Sequence, residues 1–131
     1  MDYTVLINLI PTLMLTGLIW TIQLVHYPSF EFIAEEKFSD HMEFHMRRIT
    51  YIVGPLMLIE LLASAYFITI QTGTLIYLNL LCLILIWLST VFLSIPCHNK
   101  LQQKYDLAVI QRLVKTNWPR TILWSIKSVM L

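Results

Sequence analysis

The sequence predicts an all-α protein: an integral membrane four-helix bundle with interfacial helical segments on the cytoplasmic side. Three observations carry this. Of 131 residues, 57% are hydrophobic and 13% charged, where a soluble domain holds about a quarter charged residues. The apolar residues fall in long uncharged runs, the signature of transmembrane helices. Most of the charges and all four histidines collect between those runs, at chain positions that alternate packing would bring to one face. The length suits a single small domain, residues 1–131.

The first run, Thr4 to Val25, carries no charge and at about 1.5 Å per residue is long enough for a hydrocarbon core of roughly 30 Å. It has neither the basic start nor the small-residue cleavage site of a signal peptide, and reads as a retained span over about 4–26, ended by His26-Tyr27-Pro28. Residues 29–48 hold Glu31, Glu35, Glu36, Lys37, Asp40, Glu43, Arg47 and Arg48, interleaved with Phe30, Phe32, Ile33 and Phe38. This is the pattern of an interfacial segment. Ser39 or Asp40, with Glu43, offers a helix start. The second span, 49–71, contains one charge, Glu60, and a Gly54-Pro55 pair expected to kink it. After a Gln71-Thr72-Gly73-Thr74 turn the third span covers 75–96 and stops at Pro96-Cys97-His98-Asn99-Lys100. Residues 99–117 read as an amphipathic interfacial helix. Asn117 then caps the fourth span, 118–131, with Pro119 in its first turn. An alternative is one long helix from 107 onward, kinked at Pro119.

If the spans alternate in direction, Lys37, Arg47, Arg48, Lys100, Lys104, Arg112, Lys115 and Arg120 share one face and Lys127 lies toward the other. The positive-inside rule puts the charged, histidine-rich face in the cytoplasm and both termini outside, in a bacterial inner membrane. A net charge of +1 gives no footprint for nucleic acid. No phosphate loop, CxxC pair, dinucleotide fingerprint or nucleophile triad is present. Cys82 reads as a small core residue and Cys97 as a weak candidate for metal or redox chemistry beside His98.

The candidate metal ligands are His26, His41, His45 and His98, from three helix ends. His41 and His45, at i and i+4, lie on one helix stripe. Imidazole suits iron, copper, zinc and haem iron alike. The bland reading is interfacial hydrogen bonding. Glu60, in mid-span, should face the interior with a partner such as Thr16, Asn79 or Ser89. It can act as proton donor, metal ligand or substrate contact. Arg120 can grip a carboxylate or phosphate, or snorkel to lipid headgroups. Glu60 and Arg120 are the candidate catalytic residues. Trp118 fits an interfacial belt, and Trp20 and Trp87 suit either packing or a cavity wall.

The stretches WTIQLVHYP (20–28), Phe38 to Glu60 with its H-x-x-x-H-x-R-R start, SIPCHNKL (94–101) and TNWPRTILW (116–124) resemble small uncharacterised four-span bacterial membrane proteins. More distantly they are similar to the anthrone oxygenase-like membrane proteins. The resemblance implies a four-span architecture and suggests an oxygenase-like or redox role, but the histidine set does not map onto that family. The expectation is a membrane-embedded metal-binding protein, an oxidoreductase acting on a small apolar substrate from the bilayer. A haem protein using two of the histidines is one rival. A non-catalytic transport, assembly or partner-subunit protein, working as a homo-oligomer or with a partner chain, is another.

Overall fold

The computed structural model describes residues 2–131, which are helical throughout apart from short turns and contain no strand. Four helices account for nearly all of it: α1 (Tyr3–Phe32), α2 (Glu35–Ile70), α3 (Thr74–Gln103) and α4 (Leu107–Met130). The first three are long and apolar enough to cross a membrane. Asp2 caps α1 by accepting from the Thr4 backbone N–H, and Asp106 caps α4 by accepting from Ala108 and Val109.

The order is up-down-up-down. At one end Asn8 of α1 meets Ser64 of α2 and Lys127 of α4, and Asn79 of α3 meets the Lys127 carbonyl. At the charged end Gln23 of α1 bonds Asn117 of α4, and His45 of α2 lies between His26 of α1 and His98 of α3. Helix α1 packs on α2 and α4, α3 packs on α4, and α2 meets α3 chiefly at the charged end.

Several expected boundaries move. Helix α1 continues past His26-Tyr27-Pro28 to Phe32, and α3 continues past Pro96 to Gln103. Both prolines act through the same device. Proline lacks an N–H and crowds the carbonyl four residues back, which is Leu24 for Pro28 and Phe92 for Pro96. The chain widens by one residue instead of stopping. Ile22–His26 and Thr90–Ser94 are π-turns, closed by Tyr27 N–H to Ile22 O and Ile95 N–H to Thr90 O. Helix α2 starts at Glu35, not at Ser39 or Asp40, with Glu35 and Glu36 in its first turn, where carboxylates favour the helix dipole. It runs unbroken through Pro55. Asn117 caps nothing, because residues 107–130 form one helix and Asn117 is buried inside it. The segments 29–48 and 99–117 are therefore mostly extensions of the long helices.

These extensions build an apolar plug at the charged end. Phe30, Phe38, Met42, Leu101, Ile110 and Leu113 are fully buried there, and Phe38 meets the Tyr105 ring edge-on at 5.1 Å. Further along the helices the usual polarity is inverted. Asn8, Thr12, Glu60, Asn79, Thr121 and Lys127 are buried, while Ile10, Leu62, Leu81, Ile84, Ile122 and Ile126 are exposed.

Candidate functional site

Between the plug and the middle of the helices lies a cavity of about 290 Å³. All four helices line it. Ile19 and Tyr27 come from α1, Val53 and Met57 from α2, Trp87 and His98 from α3, and Arg120 and Trp124 from α4. Its walls are apolar except at Tyr27, Thr50, Thr90, His98 and Arg120, with the indole N–H of Trp87 the remaining polar feature. The two π-turns lie at this level and contribute Ile22 and Thr90 to the wall. Thr50 on α2 and Val91 and Ile95 on α3 line the cavity yet are exposed. They mark a side opening between α2 and α3, the pair that meets chiefly at one end.

Three of the four histidines form one connected chain. His26 Nε2 is 2.8 Å from His45 Nδ1, His45 Nε2 is 3.3 Å from His98 Nε2, and His98 Nδ1 is 2.7 Å from the Ser94 carbonyl oxygen. The carbonyl fixes the tautomers. It can only accept, so His98 carries its proton on Nδ1 and presents a lone pair at Nε2. His45 then donates from Nε2 and accepts at Nδ1, and His26 donates from Nε2. All three rings are neutral in this arrangement, and the hydrogen bonds run one way, from His26 to His98. Packing holds the rings: His45 and His98 stack 5.4 Å apart, and Phe30 meets His26 and His45 edge-on, each at 5.2 Å. His98 also lines the cavity, so the chain links the half-buried His26 with the cavity wall.

His41 is not part of this chain. It lies half-buried against the Phe30 edge at 5.7 Å. The i,i+4 relation puts His41 and His45 on one stripe, but His45 points inward and His41 stays at the rim. Among the described residues no three His, Cys, Asp or Glu side chains are arranged to hold a metal ion. Both cysteines are free, Cys97 buried and Cys82 half-buried.

Arg120 does not snorkel. It is 5% exposed and bound by neutral groups. Nε and Nη2 donate to Asn117 Oδ1 at 3.0 and 2.7 Å, Nη1 donates to Thr90 Oγ1 at 3.0 Å, and Nη2 lies 3.5 Å from the Tyr27 hydroxyl. Asn117 is steadied by Gln23, which also accepts from Thr121.

Glu60 is fully buried as expected, but Thr16, Asn79 and Ser89 are not its partners. Lys127 Nζ lies 3.2 Å from Oε1, Thr12 Oγ1 donates to Oε1 at 2.6 Å, and Trp124 Nε1 donates to Oε2 at 3.2 Å. Lys127, placed by the sequence toward the outer side, is also fully buried and donates to Asn8 and Thr12. This ion pair ties α2 to α4 through α1. Glu60 is absent from the cavity wall, and Trp124 stands between the two groups, since it also lines the cavity beneath Arg120 at 5.9 Å. Sequence reasoning gave no role to Tyr27, Thr90 or Asn117 at the Arg120 site. The available signal was their position in the HYP, ST and NWPRT stretches beside the prolines and the arginine. Trp20 and Trp118 are exposed and meet edge-on at 5.8 Å, away from the cavity.

The arrangement defines a class in coarse terms: a helical protein with three helices long and apolar enough to cross a membrane, and a buried polar cluster on an apolar cavity. No protein-family model, curated protein or solved structure matches the chain.

Proposed function

We propose that the chain is an integral membrane four-helix bundle, with all four helices crossing the bilayer, that holds a small amphipathic molecule in the central cavity and, through His26 and His45, brings a proton to His98 on the cavity wall. The observation that carries this is His98, which both lines the cavity and ends the one-way imidazole chain. A proton arriving at His26 Nδ1 lets His26 pass its Nε2 proton to His45 Nδ1. His45 passes its own Nε2 proton to His98 Nε2. The net result is an imidazolium on the cavity wall: His98 keeps Nδ1–H on the Ser94 carbonyl and Nε2–H on His45, so the chain brings positive charge from the charged end to the cavity.

The inverted polarity supports the membrane reading for α4 as well. Its charged residues Arg120 and Lys127 face inward, while Ile122, Ile126 and Val129 face outward. The positive-inside rule places the histidine-bearing end in the cytoplasm.

A second reading is favoured by one distance. Two Nε2 atoms 3.3 Å apart have about the separation of neighbouring ligands on a tetrahedral ion with bonds of about 2.0–2.1 Å. In this reading iron, copper or zinc replaces the shared proton, and an oxidoreductase role follows from the metal. Elemental analysis and a visible spectrum of untagged protein in mild detergent separate the two. The proton-chain reading expects sub-stoichiometric metal, no haem band, and histidine nitrogen NMR signals with Nδ1–H at His98 and Nε2–H at His26 and His45. Near-stoichiometric metal that disappears in His45→Ala contradicts it and establishes the metal centre.

A further inference from the structure

We infer that the cavity takes an amphipathic monoanion, an apolar body carrying one carboxylate, with the carboxylate seated at Arg120, Tyr27 and Trp87. This rests on the reading of the cavity as a ligand site and names the ligand's chemical class.

Three facts converge. First, Arg120 is buried without a counter-charge. The ion pair found among the described residues is Lys127 with Glu60, and every partner of Arg120 is a neutral amide or hydroxyl. A buried cation is costly unless a charge is brought to it. Second, the polar groups on this wall have donors to spare. Arg120 has five N–H groups, and one Nη1 proton has no acceptor among the described residues. The Tyr27 hydroxyl receives Arg120 but donates to no described residue. The Trp87 indole N–H is buried with no partner among the described residues. All three residues line the cavity. A head group that only accepts, and carries a negative charge, answers all of them. A carboxylate is acceptor-only when ionised, and an alcohol or amide is not. Third, the rest of the wall is aliphatic and aromatic, and the side opening between α2 and α3 faces what the inverted polarity identifies as the lipid side. The molecule can enter there head first, its apolar body trailing toward the opening.

Gly54 lines the cavity beside Thr50. A β-carbon built on Gly54 meets Thr50 Cγ2 at 3.7 Å, ordinary contact, so the first atom of a larger side chain fits there.

The test is tryptophan fluorescence of the full chain in mild detergent, titrated with a chain-brominated decanoate and with the matching brominated alcohol. Trp87 and Trp124 line the cavity and report bromine nearby. The expected result is saturable quenching by the acid, with the alcohol binding about tenfold or more weaker, as loss of a charge-assisted contact implies. Arg120→Gln should weaken the acid about tenfold or more and bring it level with the alcohol. Should Arg120→Gln not fold, Trp87→Phe keeps the ring and removes the donor, and should weaken the acid alone several-fold, read through Trp124. Gly54→Leu should weaken both ligands. Equal binding of acid and alcohol, or an acid affinity unmoved by Arg120→Gln and Trp87→Phe, overturns the head-group assignment while leaving a ligand cavity. No saturable quenching by either probe overturns the cavity reading itself. A phospholipid retained in native mass spectrometry and not displaced by decanoate assigns the arginine to a lipid phosphate and overturns the inference.

Discussion

Glu60 and Lys127 are both fully buried and bonded to each other, to Thr12 and, through Glu60, to Trp124. Removing one member of such a pair strands the other, at a cost of about 3–5 kcal/mol, whereas replacing both with apolar residues of similar volume is nearly neutral or better. Lys127→Met should therefore lower the midpoint of thermal unfolding in detergent sharply, and Glu60→Leu with Lys127→Met should recover much of the loss. Equal destabilisation by the single and double changes would show that the pair is not energetically coupled. The sequence made Glu60 conspicuous because a lone carboxylate in an apolar run needs a partner. It hid Lys127, because a lysine near a chain end reads as solvated until α4 is known to turn that face inward. The histidines were legible as a set, since they end neighbouring runs. Their order, and the exclusion of His41, depend on which way each helix face turns, and spacing along the chain does not fix that.

The π-turns are what make α1 and α3 suit the site. Each lies just before a proline and rotates the rest of its helix relative to the part before it. Tyr27, just after the first turn, lies within 3.5 Å of Arg120, and Ser94, the last residue of the second, offers its carbonyl to His98. Pro96→Ala restores an N–H that can bond Phe92 O and is expected to relax the turn into regular helix. The nitrogen NMR signal of His98 should then lose the signature of the His45 contact. Pro55→Ala, on an exposed position of α2, should leave it unchanged; equal responses would detach the turn from the site. Prolines read from sequence as helix stops because in soluble proteins the freed carbonyl is usually a terminus. Here packing against two neighbouring helices accompanies the continuation of each helix past its proline. Helix α4 escapes hydropathy for a related reason: Asn117, Arg120, Thr121 and Lys127 dilute the apolar signal, yet all are buried.

At the scale of the molecule, the inverted polarity, the apolar plug at the charged end and the alternating helices belong together. A bilayer would solvate the exposed isoleucines and leucines and leave the polar groups to satisfy one another inside. If all four helices cross, both termini lie on one side. Single cysteines placed at Lys37 and Lys104, with Cys82 and Cys97 replaced, should react with a membrane-impermeant maleimide only after the cytoplasmic side is opened. A cysteine appended beyond Leu131 should react in intact cells. Labelling of that cysteine only after permeabilisation would mean that α4 does not cross.

The central claim, that the imidazole chain brings a proton to His98 on the wall of a ligand cavity, is tested most directly by proton uptake on ligand binding. Titration calorimetry of decanoate in buffers of different ionisation enthalpy reads it. An anion beside His98 favours its imidazolium form, so the wild-type chain should take up protons as it binds. His45→Phe keeps the aromatic packing but removes the acceptor for the Nε2–H of a charged His98, and should bind decanoate with that uptake largely lost. Wild-type binding without linked proton uptake, or uptake unchanged in His45→Phe, would contradict the account.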